Sequence, residues 1–133
     1  MTENDGIVPG FDDEETSGLE MALEAPAGVR PRLVVRLSGE IGPYNAHGFK
    51  NRIMRAIDAG YAELILDMRE VGYIASPGIG ALTAFLQATR PRGGDIVLVG
   101  TSARVYEAIE LLGFSHFLKS APTVEEALGM FKA

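Results

Sequence analysis

The clearest pattern in the chain is a buried strand followed by a helix, between residues 61 and 90. An apolar run at residues 64–66 ends at Asp67, and a second short segment covers residues 71–75. Beyond Ser76, apolar positions recur at spacings of three and four, as in an amphipathic helix. These positions are Ile79, Leu82, Leu86 and Thr89. The stretch predicts a strand, a connection and a helix that begins abruptly at Ser76.

Ser76 suits the start of that helix. A serine at the N-cap accepts a hydrogen bond from an otherwise unpaired backbone N–H. Pro77 fits the next position, where no N–H is needed. The Ser76 hydroxyl would then lie at the positive end of a helix, where an added phosphate is electrostatically favourable.

The residues before this stretch predict a hairpin. Leu19, Met21 and Leu23 alternate with charged or small residues, the period of a half-exposed strand. Turn-forming residues at 25–28 separate this strand from an apolar run at residues 32–37.

Strands and helices alternate in the rest of the chain. We predict strands near residues 62–67, 95–99 and 117–118. We predict helices near residues 45–59, 78–90, 102–112 and 123–132. Asn45, Thr101 or Ser102, and Thr123 are suitable N-caps. The pattern predicts one α/β domain with a mixed β-sheet of about five strands, covered by about four helices.

Charge is unevenly distributed along the 133 residues. The formal net charge is −6, and residues 1–18 contain six acidic residues and no basic one, so the rest is formally neutral. We therefore expect an acidic, disordered leader at residues 1–18 and a folded domain at residues 19–133. The alternative is an autoinhibitory tail that lies on a basic surface of a partner.

Composition excludes several classes of function. The chain has no cysteine, which excludes disulfides and agrees with a cytoplasmic location. No apolar run is long enough for a membrane-spanning helix, and a neutral body argues against nucleic-acid binding. We expect no cofactor and no metal site. A hydrolase is disfavoured, because residues 74–78 lack the first glycine of a nucleophile elbow and the only histidines are His47 and His116.

Residues 67–82 read DMREVGYIASPGIGAL. They resemble the signature of STAS domains, roughly D-L-S-x-V-x-x-I-D-S-S-G-L-G-x-L, without a gap, and the resemblance extends from about Leu19 to Phe131. It implies an anti-sigma factor antagonist, a non-enzymatic switch phosphorylated at Ser76. Its partner would be an anti-sigma factor that is itself a Ser/Thr protein kinase, and a phosphatase is a further candidate partner.

Three positions depart from the family pattern. Ala75 replaces an aspartate, Pro77 replaces a second serine, and Gly42 stands at or near the position of another acid. Loss of these acids would either slow phosphorylation or make a phosphate less costly to carry.

Strand-end loops are expected to form one docking surface around the serine. The expected partner-binding residues are Tyr44, Asn45, Ser76, Pro77, Gly78, Ile79, Thr101 and Ser102. The alternative function is a STAS scaffold or regulatory subunit of a larger complex, stressosome-like or lipid-transporting, in which Ser76 only caps its helix.

Overall fold

The β-sheet has the mixed topology that the sequence predicts. A computed structural model describes residues 3–28 and 30–131. The strands are β1 (Leu19–Glu24), β2 (Arg32–Ile41), β3 (Glu63–Ile74), β4 (Asp95–Val99) and β5 (Lys119–Ala121). They lie in the order β1-β2-β3-β4-β5, with β1 antiparallel to β2 and each later pair parallel. A single mixed sheet is therefore confirmed.

Helices connect the parallel strands, as crossover connections require. The α-helices among the described residues are α1 (Glu3–Ile7), α2 (Ala46–Asp58), α3 (Ser76–Thr89), α4 (Ala103–Leu111) and α5 (Val124–Gly129). The four predicted helices correspond to α2, α3, α4 and α5; residue 132, the predicted end of the last one, lies outside the described residues. Helix α1 is a fifth helix that the sequence did not predict.

Apolar side chains cover both faces of the sheet. Helices α2, α3 and α4 pack on one face, where the rings of Phe49 and Phe85 meet edge to face with centroids 5.4 Å apart. A smaller cluster on the other face includes Ala127 of α5. The α3 residues predicted to face the sheet are all buried: Ile79, Leu82 and Leu86.

Strand β3 is longer than predicted. It was expected to end near Asp67, with a separate segment at residues 71–75. It instead continues to Ile74, because β2 supplies pairing partners along this length and ends with Ile41 opposite Ile74. Strand β4 ends opposite Asp67. Residues 68–74 therefore project beyond β4 and carry the start of α3 away from it.

The last strand was predicted two residues too early. Strand β5 pairs with β4 through Lys119, Ser120 and Ala121, whereas the prediction placed it at residues 117–118. Phe117 is 56% exposed instead of lying in the sheet. The apolar pair at 117–118 was misleading because a short edge strand is defined by its backbone pairing and can be polar.

The expectation of a disordered leader is wrong for residues 3–18. Val8 and Phe11 are fully buried and belong to the main core, and α1 is followed by a short 3-10 turn at Phe11–Asp13. The acid count was misleading because two apolar anchors are enough to attach the segment to the domain. The leader and the body therefore form one folded unit; residues 1 and 2 lie outside the described residues.

The leader also protects the outer edge of β1. The side-chain amide of Asn4 donates to the carbonyl of Met21 over 2.8 Å and accepts from the N–H of Leu23 over 2.8 Å. The carbonyl of Thr16 accepts from the N–H of Leu19 over 2.9 Å, and the Thr16 hydroxyl donates to the Leu19 carbonyl over 3.1 Å. Unpaired backbone N–H and carbonyl groups on an edge strand can pair with a strand of another molecule. These contacts therefore cover an edge that would otherwise be available for pairing.

Candidate functional site

The ends of β2 and β3 hold Ser76 in position. The N–H of Ala75 donates to the carbonyl of Ile41 over 2.7 Å, directly after β3 ends. The Ala75 backbone is extended, and its carbonyl accepts from the N–H of Gly78 and that of Ile79. Helix α3 therefore begins at Ser76, and the residue before it is fixed to the neighbouring strand.

Ser76 is not the N-cap that the sequence predicts. Ala75 is the N-cap, Ser76 is the first helical residue, and Pro77 follows it. The Ser76 side chain is exposed, and its hydroxyl has no hydrogen-bond partner within residues 3–28 and 30–131. The extended backbone of Ala75 already turns the chain into the helix, so the serine hydroxyl remains available to solvent.

The first turn of α3 packs tightly on the strand ends. A Cβ atom on Gly78 would lie 2.6 Å from Cγ2 of Ile41 and 2.9 Å from Cγ1 of Ile74. Gly78 and Ile79 are both buried. They were predicted to contact a partner directly; the structure instead places them beneath the surface, where they set the position of Ser76 and Pro77.

The loop at residues 42–45 lies beside this turn and is shaped by Asn45. Asn45 is the N-cap residue of α2, as predicted, but its side chain makes no capping bond. The amide instead donates to the carbonyls of Ser17 and Glu40 and accepts from the N–H of Gly42, over 2.8, 2.9 and 2.9 Å. Asn45 is only 1% exposed, so its predicted direct contact with a partner is wrong. It supports the loop from within.

Tyr44 is the exposed residue of this loop. Its side chain is 69% exposed, and its ring leans on two glycines, so that a Cβ on Gly42 or Gly18 would meet the ring or its hydroxyl within 2.9 Å. The loop follows Ile41 directly, so Tyr44 lies at the same strand ends as Ser76. The structure thus brings Tyr44 and Ser76 to the same end of the sheet, and their joint contact with a partner stays a prediction.

The third predicted segment is arranged differently. Gly100 packs on the side chain of Arg69, because β4 ends opposite Asp67, well before the end of β3. The hydroxyl of Ser102 caps α4 by accepting from the N–H of Val105. Oγ1 of Thr101 is buried and has no hydrogen-bond partner among the described residues. The Ser102 hydroxyl is therefore used in capping its own helix, and the Thr101 hydroxyl is not accessible to a partner.

Helix α4 instead contributes Arg104, which the sequence analysis missed. Its guanidinium lies 5.7 Å from the ring centroid of Tyr73, a cation–π contact, and Tyr73 is partly exposed two residues before Ala75. Period-two alternation in β3 could have indicated that the Tyr73 side chain points to the face of the sheet opposite that of the buried Ile74. Nothing in the sequence indicated which cation lies over it. We define the switch surface as Tyr44, Tyr73, Ser76, Pro77 and Arg104.

A carboxylate anchors the point where β4 ends. Asp67 is buried, and both of its oxygens accept from Arg69, at 2.9 Å from Nε and 2.6 Å from Nη2. The Arg69 hydrogen bond keeps the pKa of Asp67 below its usual value of 3.8, against the opposing effect of burial. The pair fixes the strand where β3 begins to project towards Ser76.

A model of the STAS domain family matches residues 20–127. The chain belongs to the STAS domain family. The anti-sigma-B factor antagonist of Listeria monocytogenes is 30% identical over 84 residues, covering 62% of this chain and 73% of that protein. The predicted family is therefore confirmed, and curated relatives of this chain are anti-sigma factor antagonists.

Solved structures of STAS domains share the fold. An anti-sigma factor antagonist from Mycobacterium paratuberculosis superposes with a TM-score of 0.72 at 21% identity, covering 88% of this chain and 97% of that one. SpoIIAA in its unphosphorylated form has a TM-score of 0.68 at 22% identity, covering 82% and 95%. SpoIIAA of Bacillus has also been solved in its phosphorylated form.

The STAS domain has two further features that bear on function. No helix within the described ranges is both long and apolar enough to cross a membrane. The acidic and histidine side chains of those ranges form no group of three that could hold a metal ion.

Proposed function

We propose that this STAS domain is an anti-sigma factor antagonist that is switched by phosphorylation of Ser76. The unmodified protein binds an anti-sigma factor, which is a Ser/Thr kinase, and so releases a sigma factor. The phosphorylated protein dissociates from it. The observation that carries the proposal is the exposure of Ser76 at the first position of a helix that is held to the end of β2, with no hydrogen-bond partner for its hydroxyl among the described residues.

Curated relatives support the role as an anti-sigma factor antagonist, and SpoIIAA supports control by phosphorylation. Curated relatives are anti-sigma factor antagonists, and SpoIIAA exists in phosphorylated and unphosphorylated forms. Ser76 holds the position of the serine that the family signature places after an aspartate. The exposed aromatic rings of Tyr44 and Tyr73 flank it, and aromatic residues are enriched at protein interfaces.

The electrostatics of α3 favour a phosphate at Ser76. The helix has 14 residues and no acidic residue in its first turn, so its positive end is not neutralised. Ala75 in place of an aspartate removes a like charge from beside the modified position. Arg104 on α4 adds a nearby cation. The modified protein should therefore remain folded.

The same phosphate would weaken partner binding. It adds about −1.5 to −2 charges at the centre of a surface that was formed to match a neutral hydroxyl. Repulsion and desolvation at such an interface cost up to a few kcal/mol, on the order of a hundredfold in affinity.

Phosphorylation is tested by incubating the protein with the cognate anti-sigma factor and ATP, followed by mass spectrometry. We expect one phosphate on Ser76 in the wild type and none in Ser76→Ala. Ser38 is an exposed serine on β2, and Ser38→Ala is the matched control that should be modified normally.

Partner binding is tested with the same variants. Ser76→Ala should bind the anti-sigma factor constitutively, and Ser76→Asp should bind it more weakly while remaining folded. Phosphate on another residue, or equal affinity of the Ala and Asp variants, would refute the switch and favour the scaffold alternative.

A further inference from the structure

The leader is bound along one stripe of α2. Gly48, Arg52 and Arg55 lie four and three residues apart, so they share a face of the helix. The carbonyl of Glu15 packs where a Cβ of Gly48 would be, and Gly10 packs on the guanidinium of Arg55. A glycine at position 48 is therefore needed for the leader to approach this closely.

Arg52 is the centre of this contact. Its guanidinium donates to the carbonyl of Glu14 over 2.7 and 3.0 Å and to the carboxylate of Asp12 over 3.2 Å. The ring of Phe11 lies 5.6 Å from it. Arg52 is only 9% exposed, and a buried cation is costly without its partners. The leader supplies each of these partners, so α2 and the leader depend on one another.

The end of the leader is tied to the loop beside Ser76. One amide, that of Asn45, joins the carbonyl of Ser17 in the leader to the N–H of Gly42 in the loop. The ring of Tyr44 rests on Gly18, directly after Ser17. The loop that presents Tyr44 therefore has the leader as one of its supports.

We propose that the leader, residues 3–18, is a positioning segment for the switch surface: its attachment at Arg52 holds the 42–45 loop in place through Asn45. Arg52 lies seven residues beyond Asn45, about 10 Å along α2. Within the described residues, its hydrogen bonds and its cation–π contact all go to the leader. The effect on the partner rests on the proposed function. The coupling between leader and loop does not, because it is a property of the free protein.

The physical consequence is a two-state loop. With the leader bound, Asn45 has all three of its partners and Tyr44 is supported from below. With the leader detached, Asn45 loses Ser17, and the loop samples other conformations. A partner that requires the ordered loop then binds with an affinity reduced by the fraction of molecules in which the loop is ordered.

Amide hydrogen exchange by NMR on the full chain tests the coupling without any partner. The amides of residues 11 and 13 report on the leader, since they donate to the carbonyls of Val8 and Gly10. The amide of Gly42 reports on the loop, since it donates to Asn45. Phe11→Ala and Arg52→Lys both weaken leader attachment, the latter because lysine lacks the guanidinium fork.

We expect both variants to raise exchange at Gly42 by the same factor as in the leader, roughly tenfold or more for Phe11→Ala. Amides in the centre of β4, such as Val97, should keep their wild-type rates. Arg92→Ala is the control, because Arg92 binds the carbonyl of Ile57 at the opposite end of α2. It should leave Gly42 unchanged.

Faster exchange in the leader with Gly42 unchanged would overturn the proposal. Should Phe11→Ala not fold, Arg52→Lys and native-state exchange of the wild type still decide it, because coupling requires Gly42 to open whenever the leader opens. Affinity for the anti-sigma factor is the second readout, and it should decrease as the fraction of molecules with an ordered loop decreases. Coupled exchange without any partner binding would refute the proposed function and leave the positioning role standing.

Discussion

The N–H of Ala75 and the carbonyl of Ile41 form a 2.7 Å hydrogen bond at the point where β2 and β3 both end. Two segments of the chain continue from this bond. After Ala75 the chain begins α3 at Ser76, and after Ile41 it forms the 42–45 loop, which contains Tyr44 and leads to α2. The bond therefore fixes the base of the switch surface.

Ser76→Ala should hardly change stability, because the Ser76 hydroxyl makes no capping bond within the described residues. We expect a change within about 0.5 kcal/mol in urea unfolding. Ser102→Ala is the matched comparison, since Ser102 does cap its helix, and should cost about 0.5–2 kcal/mol. Equal losses in the two variants would mean that Ser76 caps α3 in solution.

Gly78→Ala should destabilise the protein by about 1–3 kcal/mol, because the added methyl group would overlap Ile41 and Ile74. Gly80→Ala is the control two residues along the same helix. Apart from the adjacent residues and the backbone of α3 itself, no described atom lies within 4 Å of its added methyl group. Helix propensity should therefore make that variant more stable by about 0.5–1 kcal/mol. Thermal or urea unfolding measures both changes. An unchanged free energy of unfolding in Gly78→Ala would contradict the prediction and show that the turn can accommodate the methyl group.

Leu82→Ala should reduce the free energy of unfolding by about 2–5 kcal/mol, because Leu82 is fully buried between α3 and the sheet. Gln87→Ala, on the exposed side of the same helix, should change it by less than about 0.5 kcal/mol. A loss below about 1 kcal/mol for Leu82→Ala would contradict the burial of this side chain.

Asn4→Ala should cost about 1–3 kcal/mol, because it leaves the Met21 carbonyl and the Leu23 N–H of β1 unpaired. Exchange at the Leu23 amide should rise, and an uncovered strand edge should make the variant more prone to self-association in size-exclusion chromatography. Asn51→Ala removes an exposed contact to His47 and should have little effect. Unchanged Leu23 exchange in Asn4→Ala would argue that the leader does not guard this edge.

Acid should weaken the contribution of Asp67. The pKa of its carboxyl is lowered in the folded state by Arg69, so its stabilisation is complete above the unfolded value of 3.8 and is lost as pH falls through the lower folded value. The stability difference between wild type and Asp67→Asn should be constant between about pH 7 and pH 5 and shrink below about pH 4. Asp58→Asn, an exposed partner of Arg92, is the control. If the stability difference between wild type and Asp67→Asn grew on acidification, the Arg69 contact would not lower the pKa of Asp67 in the folded state.

The sequence by itself determined the alternation of strands and helices, the mixed sheet of about five strands and the STAS family. It could do so because periodicity reports which side of each element is buried. The inward positions of α3 and the apolar run of β4 follow directly from that rule. The signature around Ser76 is contiguous, so no knowledge of distant contacts was needed to find it.

Only the tertiary structure decided which residues around Ser76 face the partner and what holds them there. Gly78 and Ile79 appeared as surface candidates because they follow Ser76 in sequence, and Asn45 because it lies in a strand-end loop. All three are nevertheless buried. Arg104 reaches the switch surface only through the packing of α4 against β3.

The leader shows the same limit most clearly. Its acidic composition predicts disorder, because composition averages over a segment and gives little weight to two apolar residues. Phe11 and Val8 nevertheless attach it, since burial of a few side chains together with the partners of Arg52 can offset the ordering entropy of a short segment. That compensation depends on a receiving surface on α2 and β1, which exists only once the rest of the chain has folded.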